Sequence, residues 1–368
     1  MSDFEFEDSN SGSFARFLSN GCVSCQKGAK MVLFVTGRCY RDCFYCPLSD
    51  ERKDRDVVFA NERPVYLDED ILEEAESMNA EGTGITGGEP LLESGSVLHY
   101  ISLLKSRFGP GHHIHLYTSI PADNDMIQKL AAAGLDEIRF HPPTEMWESL
   151  VGSDFEASIR TAQAAGISAG IEIPALPNAV DVAVFAKKID CFLNLNELEF
   201  SENNADAMKE HGFSLIDNES NAVFGSREIA RQAYEVGGKI NFCASRYKDA
   251  VQLRLRLIRT AVSSARPFDE ITADGTIIYG KLKIQSVFLN DFATFLEDLE
   301  VPAEAYEILD PDGNSDDFAV VETAAGIAEE LAEIFREDEI SDFGEVQFWL
   351  FERYPFSNGF VVESSRIY

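Results

Sequence analysis

No run of about 18 apolar residues occurs in the 368-residue chain, so no hydrophobic membrane-spanning helix is expected. Basic residues are scarce: 31 Lys and Arg face 64 Asp and Glu, a formal net charge of −33. Such a surface repels nucleic acid and anionic lipid at moderate salt, so neither is an expected partner. It also suits a high-salt cytoplasm, where screening removes much of the self-repulsion. Stability should then rise with added salt, and maximal stability in dilute buffer would exclude that setting. The opening "MSDFEFEDSNSGSF" lacks the basic-then-apolar order of a secretory signal. A cytoplasmic location and reduced thiols follow. Seven cysteines then read as metal ligands or small buried side chains rather than disulfides. Near-identical internal repeats and low-complexity segments are also missing.

Six apolar runs at 31–37, 82–88, 113–119, 137–142, 168–176 and 197–202 alternate with helical patterns, several of which stop at a glycine. Strand then helix, repeated, predicts right-handed βα units in a doubly wound sheet or a full or partial barrel. Beyond residue 264 the alternation breaks. "FDEITADGTIIYGKLKI" reads as a hairpin turning at Asp274-Gly275, followed by a helix and two late strands. The expected division is a cysteine-containing segment, 1–30, an α/β body, 31–264, and a small α+β domain, 265–368.

"GRCYRDCFYC" places Cys39, Cys43 and Cys46 directly after the first strand, where parallel α/β folds bind ligands. Three thiolates can hold three irons of a four-iron cluster and leave the fourth open. Zinc held by three cysteines and a remote residue is the competing site. On the residues alone, a non-catalytic zinc or iron–sulfur electron carrier stands as the alternative to an enzyme.

The CxxxCxxC spacing, with Tyr45 before its last cysteine, resembles the signature of the radical S-adenosylmethionine (SAM) superfamily. "GGEP", Gly87 to Pro90, after the second strand resembles the family's second motif. The likeness spans roughly residues 31–245. "GAKMVLFVTGRC", "CFYCPLSD" and "VVFANERPV" are similar to an archaeal branch related to pyruvate formate-lyase activating enzymes. The resemblance implies an α/β fold, a partial (βα)6 TIM-like barrel with a small C-terminal α+β domain. It implies a [4Fe–4S] cluster on Cys39, Cys43 and Cys46, and SAM as cofactor. It implies reductive cleavage of SAM to a 5′-deoxyadenosyl radical and hydrogen abstraction from a substrate it does not name. A one-electron donor such as ferredoxin or flavodoxin is the implied partner.

Residue by residue, the resemblance places Tyr45 by the adenine and Gly87, Gly88, Glu89 and Pro90 at the SAM amino group. Thr118 and Ser119 end the third strand, as ribose or carboxylate contacts or as a helix cap. Glu172 and Pro174 on the fifth strand border the adenosyl site, Glu172 being costly there unless partnered. Asn203 ends the sixth strand, as a ligand contact or a loop residue. Arg139 and His141 alternate along the fourth strand and so face one side. There they are candidate catalytic groups at the substrate, or structural ones.

Four cysteines remain. Cys22 and Cys25 form a CxxC pair, half of a metal site or a redox pair. Cys191 precedes the sixth strand and Cys243 ends a possible seventh. Parallel wiring puts those two at opposite ends of the sheet. Proximity along the chain favours Cys191 as the partner of the pair. The resemblance favours Cys243, in an auxiliary iron–sulfur cluster or zinc site.

Overall fold

The computed structural model describes residues 11–309, 318–337, 340, 342–356 and 359–368. The chain divides between Leu253 and Arg254 into two compact units.

In the first unit, seven parallel strands pair in chain order: β2 (Lys30–Phe34), β5 (Gly82–Thr86), β6 (His113–Thr118), β7 (Glu137–Phe140), β8 (Ser168–Pro174), β9 (Phe192–Asn196) and β10 (Ile240–Cys243). The short hairpin β3 (Phe59–Ala60) and β4 (Arg63–Pro64) extends one edge, and β1 (Phe14–Ala15) pairs antiparallel with β10 at the other. Helices α2 (Asp68–Ser77), α3 (Ser94–Phe108), α4 (Asn124–Ala133), α5 (Asp154–Ala164), α6 (Ala179–Lys188), α7 (Ala205–Glu210) and α8 (Ser226–Glu235) fill the crossovers.

The strands alternate rather than run apolar on both faces. Met31, Leu33, Ile85, Leu116, Ile138, Ile171, Leu193 and Leu195 point at the helices and are fully buried. The intervening side chains face inward and are polar: Lys30, Tyr117, Glu137, Arg139, His141, Glu172, Asn194, Asn196 and Asn241. Residues from β2 through β10 line a single cavity, so the sheet curves into a partial barrel around it.

The six expected βα units are present, and the strand ending at Cys243 adds a seventh parallel strand. Two expectations change. The sixth strand is Phe192–Asn196 rather than 197–202, because in "FLNLN" Leu193 and Leu195 turn outward into the core while Phe192 and the two asparagines face the interior. Residues 1–30 are no separate segment in their described part, 11–30. The helix α1 (Asn20–Gln26) packs inside the barrel, so close that a Cβ on Gly21 would stand 2.5 Å from the Arg139 guanidinium.

The second unit begins with α10 (Arg254–Ser264), 11 residues before the expected boundary. Its Ala261 packs against Ile277 and Tyr279, which ties the helix to the second sheet. That sheet is antiparallel, in the order β13 (Tyr306–Leu309), β14 (Phe318–Thr323), β12 (Ile277–Gln285), β15 (Gln347–Arg353), β16 (Val361–Arg366), with β11 (Glu270–Ile271) also on β12. Helices α11 (Leu289–Asp298) and α12 (Ala325–Glu337) supply Phe292, Leu296, Leu331 and Phe335 to its core. Among the described residues no helix is long and apolar enough to cross a membrane.

Candidate active site

The cysteine loop lies across the C-terminal ends of β2, β5 and β6. Arg38 O accepts from the Glu89 amide at 2.8 Å and Thr36 O from the Gly88 amide at 2.7 Å, stitching the loop to "GGEP". Arg41 Nη2 donates to Ser119 O at 3.1 Å. Cys39, Cys43 and Cys46 are all free and half-buried. The Arg41 amide points at Cys39 Sγ, 3.4 Å away. Burial pushes the Cys39 and Cys43 thiols above their ordinary values.

The donor set fits a cluster with one open iron: three free thiols on one loop, an N–H aimed at one of them, and no fourth cysteine in that loop. Among the described residues no three His, Cys, Asp or Glu side chains are already gathered closely enough to hold a metal ion.

"GGEP" acts on the loop before it acts on any ligand. A Cβ on Gly88 would stand 2.5 Å from Arg38 O and 2.7 Å from Gly37 O. The close approach that demands glycine there is to the cysteine loop, where the sequence suggested approach to the cofactor. Gly88→Val should thus displace the loop and lower iron content as well as SAM affinity. Full iron loading with SAM affinity alone reduced would show that the loop tolerates the side chain.

Glu89 is fully buried. It accepts from Thr118 Oγ1 (2.8 Å), the Ser119 amide (2.6 Å), Ser119 Oγ (2.7 Å) and the Leu91 amide (3.0 Å). Thr118 and Ser119 are therefore partners of Glu89, a role the sequence did not suggest. Pro90 is buried in the first turn of the short helix that follows.

Tyr45, Pro174 and Thr86 line the upper part of a cavity of about 500 Å³. His141 Nδ1 lies 2.8 Å from the Glu172 carbonyl oxygen, which can only accept, so Nδ1 carries the proton. Nε2 then accepts from the Tyr45 hydroxyl at 2.9 Å. Burial lowers the pKa of His141 and favours this neutral form.

Arg139 and His141 share the inward face, as the alternation predicts. Arg139, however, is spent within the protein. It pairs with Glu137 and Glu172, each at 2.6 Å, and donates to Tyr117 Oη (2.9 Å), Ser19 Oγ (3.0 Å) and Cys22 Sγ (3.5 Å). Glu137 in turn accepts from Ser19 Oγ at 2.9 Å and the Gly21 amide at 3.3 Å, fixing α1. Glu172 has the partners its position required: Arg139, Asn194 (3.1 Å) and Asn196 (2.9 Å). Burial works against its charge, but Arg139 and the amides outweigh it and lower its pKa.

Cys22, Cys25 and Cys243 line the same cavity, with Lys30 and Gln252. Cys191 does not; it is 2% exposed in the apolar core. Asn203 lies beyond β9, with its amide on Asp50 at 2.5 Å, because that strand ends at Asn196. Its neighbour Asn204 reaches the loop instead, donating to Tyr45 O at 3.1 Å.

A family model of the radical SAM superfamily matches residues 33–178, and one of a domain of unknown function matches 275–367. A Methanocaldococcus jannaschii protein, provisionally named a glycyl-radical enzyme activating enzyme, is 40% identical over 308 residues, 80% of each chain. The chain belongs to the radical SAM superfamily. As a radical SAM enzyme, it takes a [4Fe–4S] cluster and SAM as its family cofactors, which sets aside the non-catalytic carrier. Solved structures overlap it only loosely. Methylornithine synthase covers 61% of this chain and 72% of its own, at 12% identity and TM-score 0.38. The hydrogenase maturase HydG of Carboxydothermus hydrogenoformans covers 65% and 76%, at 15% and 0.31.

Proposed function

We propose that this radical SAM enzyme activates a glycyl-radical enzyme, removing a hydrogen atom from a glycine of a partner polypeptide. The 40% identity to the archaeal relative over 80% of both chains carries this reading. A reduced cluster bound at this loop would supply the electron that splits SAM. Cys39, Cys43 and Cys46 would hold it. The Tyr45–His141 pair orients an aromatic wall, and the paired Glu172 keeps the interior polar without a free charge. A ferredoxin or flavodoxin would deliver the electron.

The test is anaerobic reconstitution followed by reaction with a candidate partner carrying α-deuterated glycine. Deuterium in 5′-deoxyadenosine, with a glycyl radical signal by electron paramagnetic resonance, supports activation. Unlabelled 5′-deoxyadenosine with every glycyl-radical partner offered would refute it.

Cys22, Cys25 and Cys243 are proposed to hold an auxiliary metal centre, an iron–sulfur cluster or zinc. Support comes from their shared cavity and from the donors at the sulfurs. Arg139 and Asn241 (3.6 Å) approach Cys22, and Gln252 (3.8 Å) approaches Cys243. Burial pushes the Cys22 thiol up and the Cys243 thiol up to about 12, so binding metal there releases protons. A triple alanine variant at Cys39, Cys43 and Cys46 should still carry metal. Removing Cys22 and Cys25 as well should abolish it, and Cys191→Ala should not. A loop variant free of metal after reconstitution and zinc supplementation would eliminate the second centre.

A further inference from the structure

The cavity of the first unit holds one cation that no acid of the protein touches. Lys30 opens β2, is half-buried and lines the cavity. Its stem passes Gly84, where a Cβ would stand 3.4 Å from Lys30 Cδ. Among the described residues no carboxylate, carbonyl or thiol accepts a hydrogen bond from its ammonium. The neighbouring carboxylates are committed elsewhere. Glu137 accepts from Arg139 Nε (2.6 Å), Ser19 Oγ (2.9 Å) and the Gly21 amide (3.3 Å). Glu172 accepts from Arg139 Nη1 (2.6 Å), Asn194 (3.1 Å) and Asn196 (2.9 Å). Glu197 takes the Ser245 amide at 2.8 Å, and Glu199 pairs with Lys248 at 2.5 Å.

A second donor stands near it. Tyr117 lines the same cavity, close enough for its charge and that of Lys30 to affect each other. Its Oη accepts from Arg139 Nη1 at 2.9 Å, and burial keeps the phenol protonated, so its own proton is still to be given. Water can satisfy both donors in the resting protein. A ligand that displaces this water must bring an acceptor of its own.

The place of these donors separates them from the SAM end of the cavity. Lys30 is the first residue of β2 and the cysteine loop follows the last, roughly 13 Å away along the strand. The amino-acid end of SAM, which the resemblance puts at Gly87 to Pro90, belongs beside the loop. The anion that answers Lys30 is therefore another one.

We propose that Lys30 and Tyr117 bind a carboxylate of the substrate at this far end of the cavity. One ammonium and one hydroxyl match a single negative charge. A phosphate dianion would meet repulsion from Glu172, Glu197 and Glu199, which line the same walls, and the other cations there are committed. In a chain of charge −33 an anionic ligand needs a cation reserved for it. With its carboxylate anchored, the ligand's other end lies under Tyr45, His141 and Pro174, on the side of the cysteine loop. Such a carboxylate comes from a free organic acid or from an Asp or Glu near the target glycine of a partner polypeptide. The inference rests on the proposed function only in taking this cavity as the substrate's.

The test uses the anaerobically reconstituted enzyme and saturation-transfer NMR, without reductant, so that SAM cleavage is not involved. Sodium hexanoate is the free-acid probe, with hexanamide as its uncharged control. The peptide acetyl-Gly-Ala-Glu-amide is the polypeptide probe, with its Gln counterpart as control. At least one carboxylate probe should bind saturably, about tenfold or more tighter than its control. The tighter of the two names the source, and either result supports the site. Lys30→Met should weaken that probe about 10- to 100-fold and leave its control unchanged. Tyr117→Phe should weaken it by about tenfold at most, and Lys30→Arg should retain part of the affinity. Melting separates binding from structure. Lys30 makes no hydrogen bond within the protein, so Lys30→Met should melt no lower than the wild type. A lower Tm restored by Lys30→Arg, with probe binding unaltered, would make Lys30 a structural counter-charge and overturn the proposal. So would equal affinity for acid and amide, or displacement of the probe by chloride at the same concentration. Binding that follows metal content in Cys22→Ser/Cys25→Ser, and not Lys30, would place the anion on the auxiliary metal and overturn it too. None of these readings needs a glycyl radical, so this proposal and glycyl-radical activation fail separately.

Discussion

Cys43→Ala should abolish 5′-deoxyadenosine formation and leave the first unit folded. The loop offers three thiols and no spare, and two thiolates cannot hold a cluster in place of three. Cys191, buried in the apolar core, cannot replace the missing one. The loop's own shape does not depend on the Cys43 side chain. Its anchors are backbone bonds: Gly37 N to Arg55 O (2.8 Å), Asp54 N to Gly37 O (2.9 Å) and Glu89 N to Arg38 O (2.8 Å). The turn that closes on Cys43, from the Cys46 amide to Cys43 O at 2.9 Å, survives in alanine. Removing a half-buried thiol from such a loop should cost roughly 1 kcal/mol or less. Iron content should fall by about four atoms per chain, one cluster. The loss should be seen in product analysis after dithionite reduction, with circular dichroism and melting near wild type. A variant that makes 5′-deoxyadenosine at the normal rate would remove Cys43 from the cluster.

The chemistry-bearing stretches were legible because their meaning lies in residue type and short spacing. Cys39, Cys43 and Cys46, and Gly87 to Pro90, stand where the sequence put them, each after its strand. Glu172 was legible as a carboxylate that needed a partner, though not which partner. Asn194 and Asn196 were not legible. Two asparagines in a strand suggest a loop, and only the closed barrel shows that they bind Glu172. Glu137 was hidden for the same reason, since its partners Ser19 and Gly21 lie more than a hundred residues away. The helix Arg254–Ser264 was assigned to the wrong side because its apolar stripe does not say which sheet it meets. The inward polar face was readable in hindsight from "HIHLYT" and "EIRF", where polar and apolar residues alternate.

Arg139→Met should produce the largest loss of stability in the first unit. Arg139 is 2% exposed, and its side chain neutralises Glu137, which is fully buried, and Glu172. Removing it strands two carboxylates away from water. Breaking a buried pair from one side costs about 3–5 kcal/mol, because the remaining charge is uncompensated. For a unit of this size that is a fall of roughly 6–20 °C in Tm. Adding Glu137→Gln should recover part of it by removing one stranded charge. The pH dependence distinguishes this cause from lost packing. In the wild type the pKa of Glu172 is held below its ordinary value of 4.5. Its pairing therefore stabilises fully above that value and is lost as pH falls through the lowered one. In the variant the buried Glu172 carboxylate, without its arginine, titrates upward instead, and taking up a proton relieves it. The gap between the two melting temperatures should be widest near neutral pH and should close as pH falls below 4.5. A gap that stays constant across that range would assign the loss to packing. Cys22 also loses its Arg139 donor, and α1 loses the arginine that braces Ser19. Metal held at the proposed auxiliary centre should therefore fall with stability, and Glu137→Gln should restore the second more than the first.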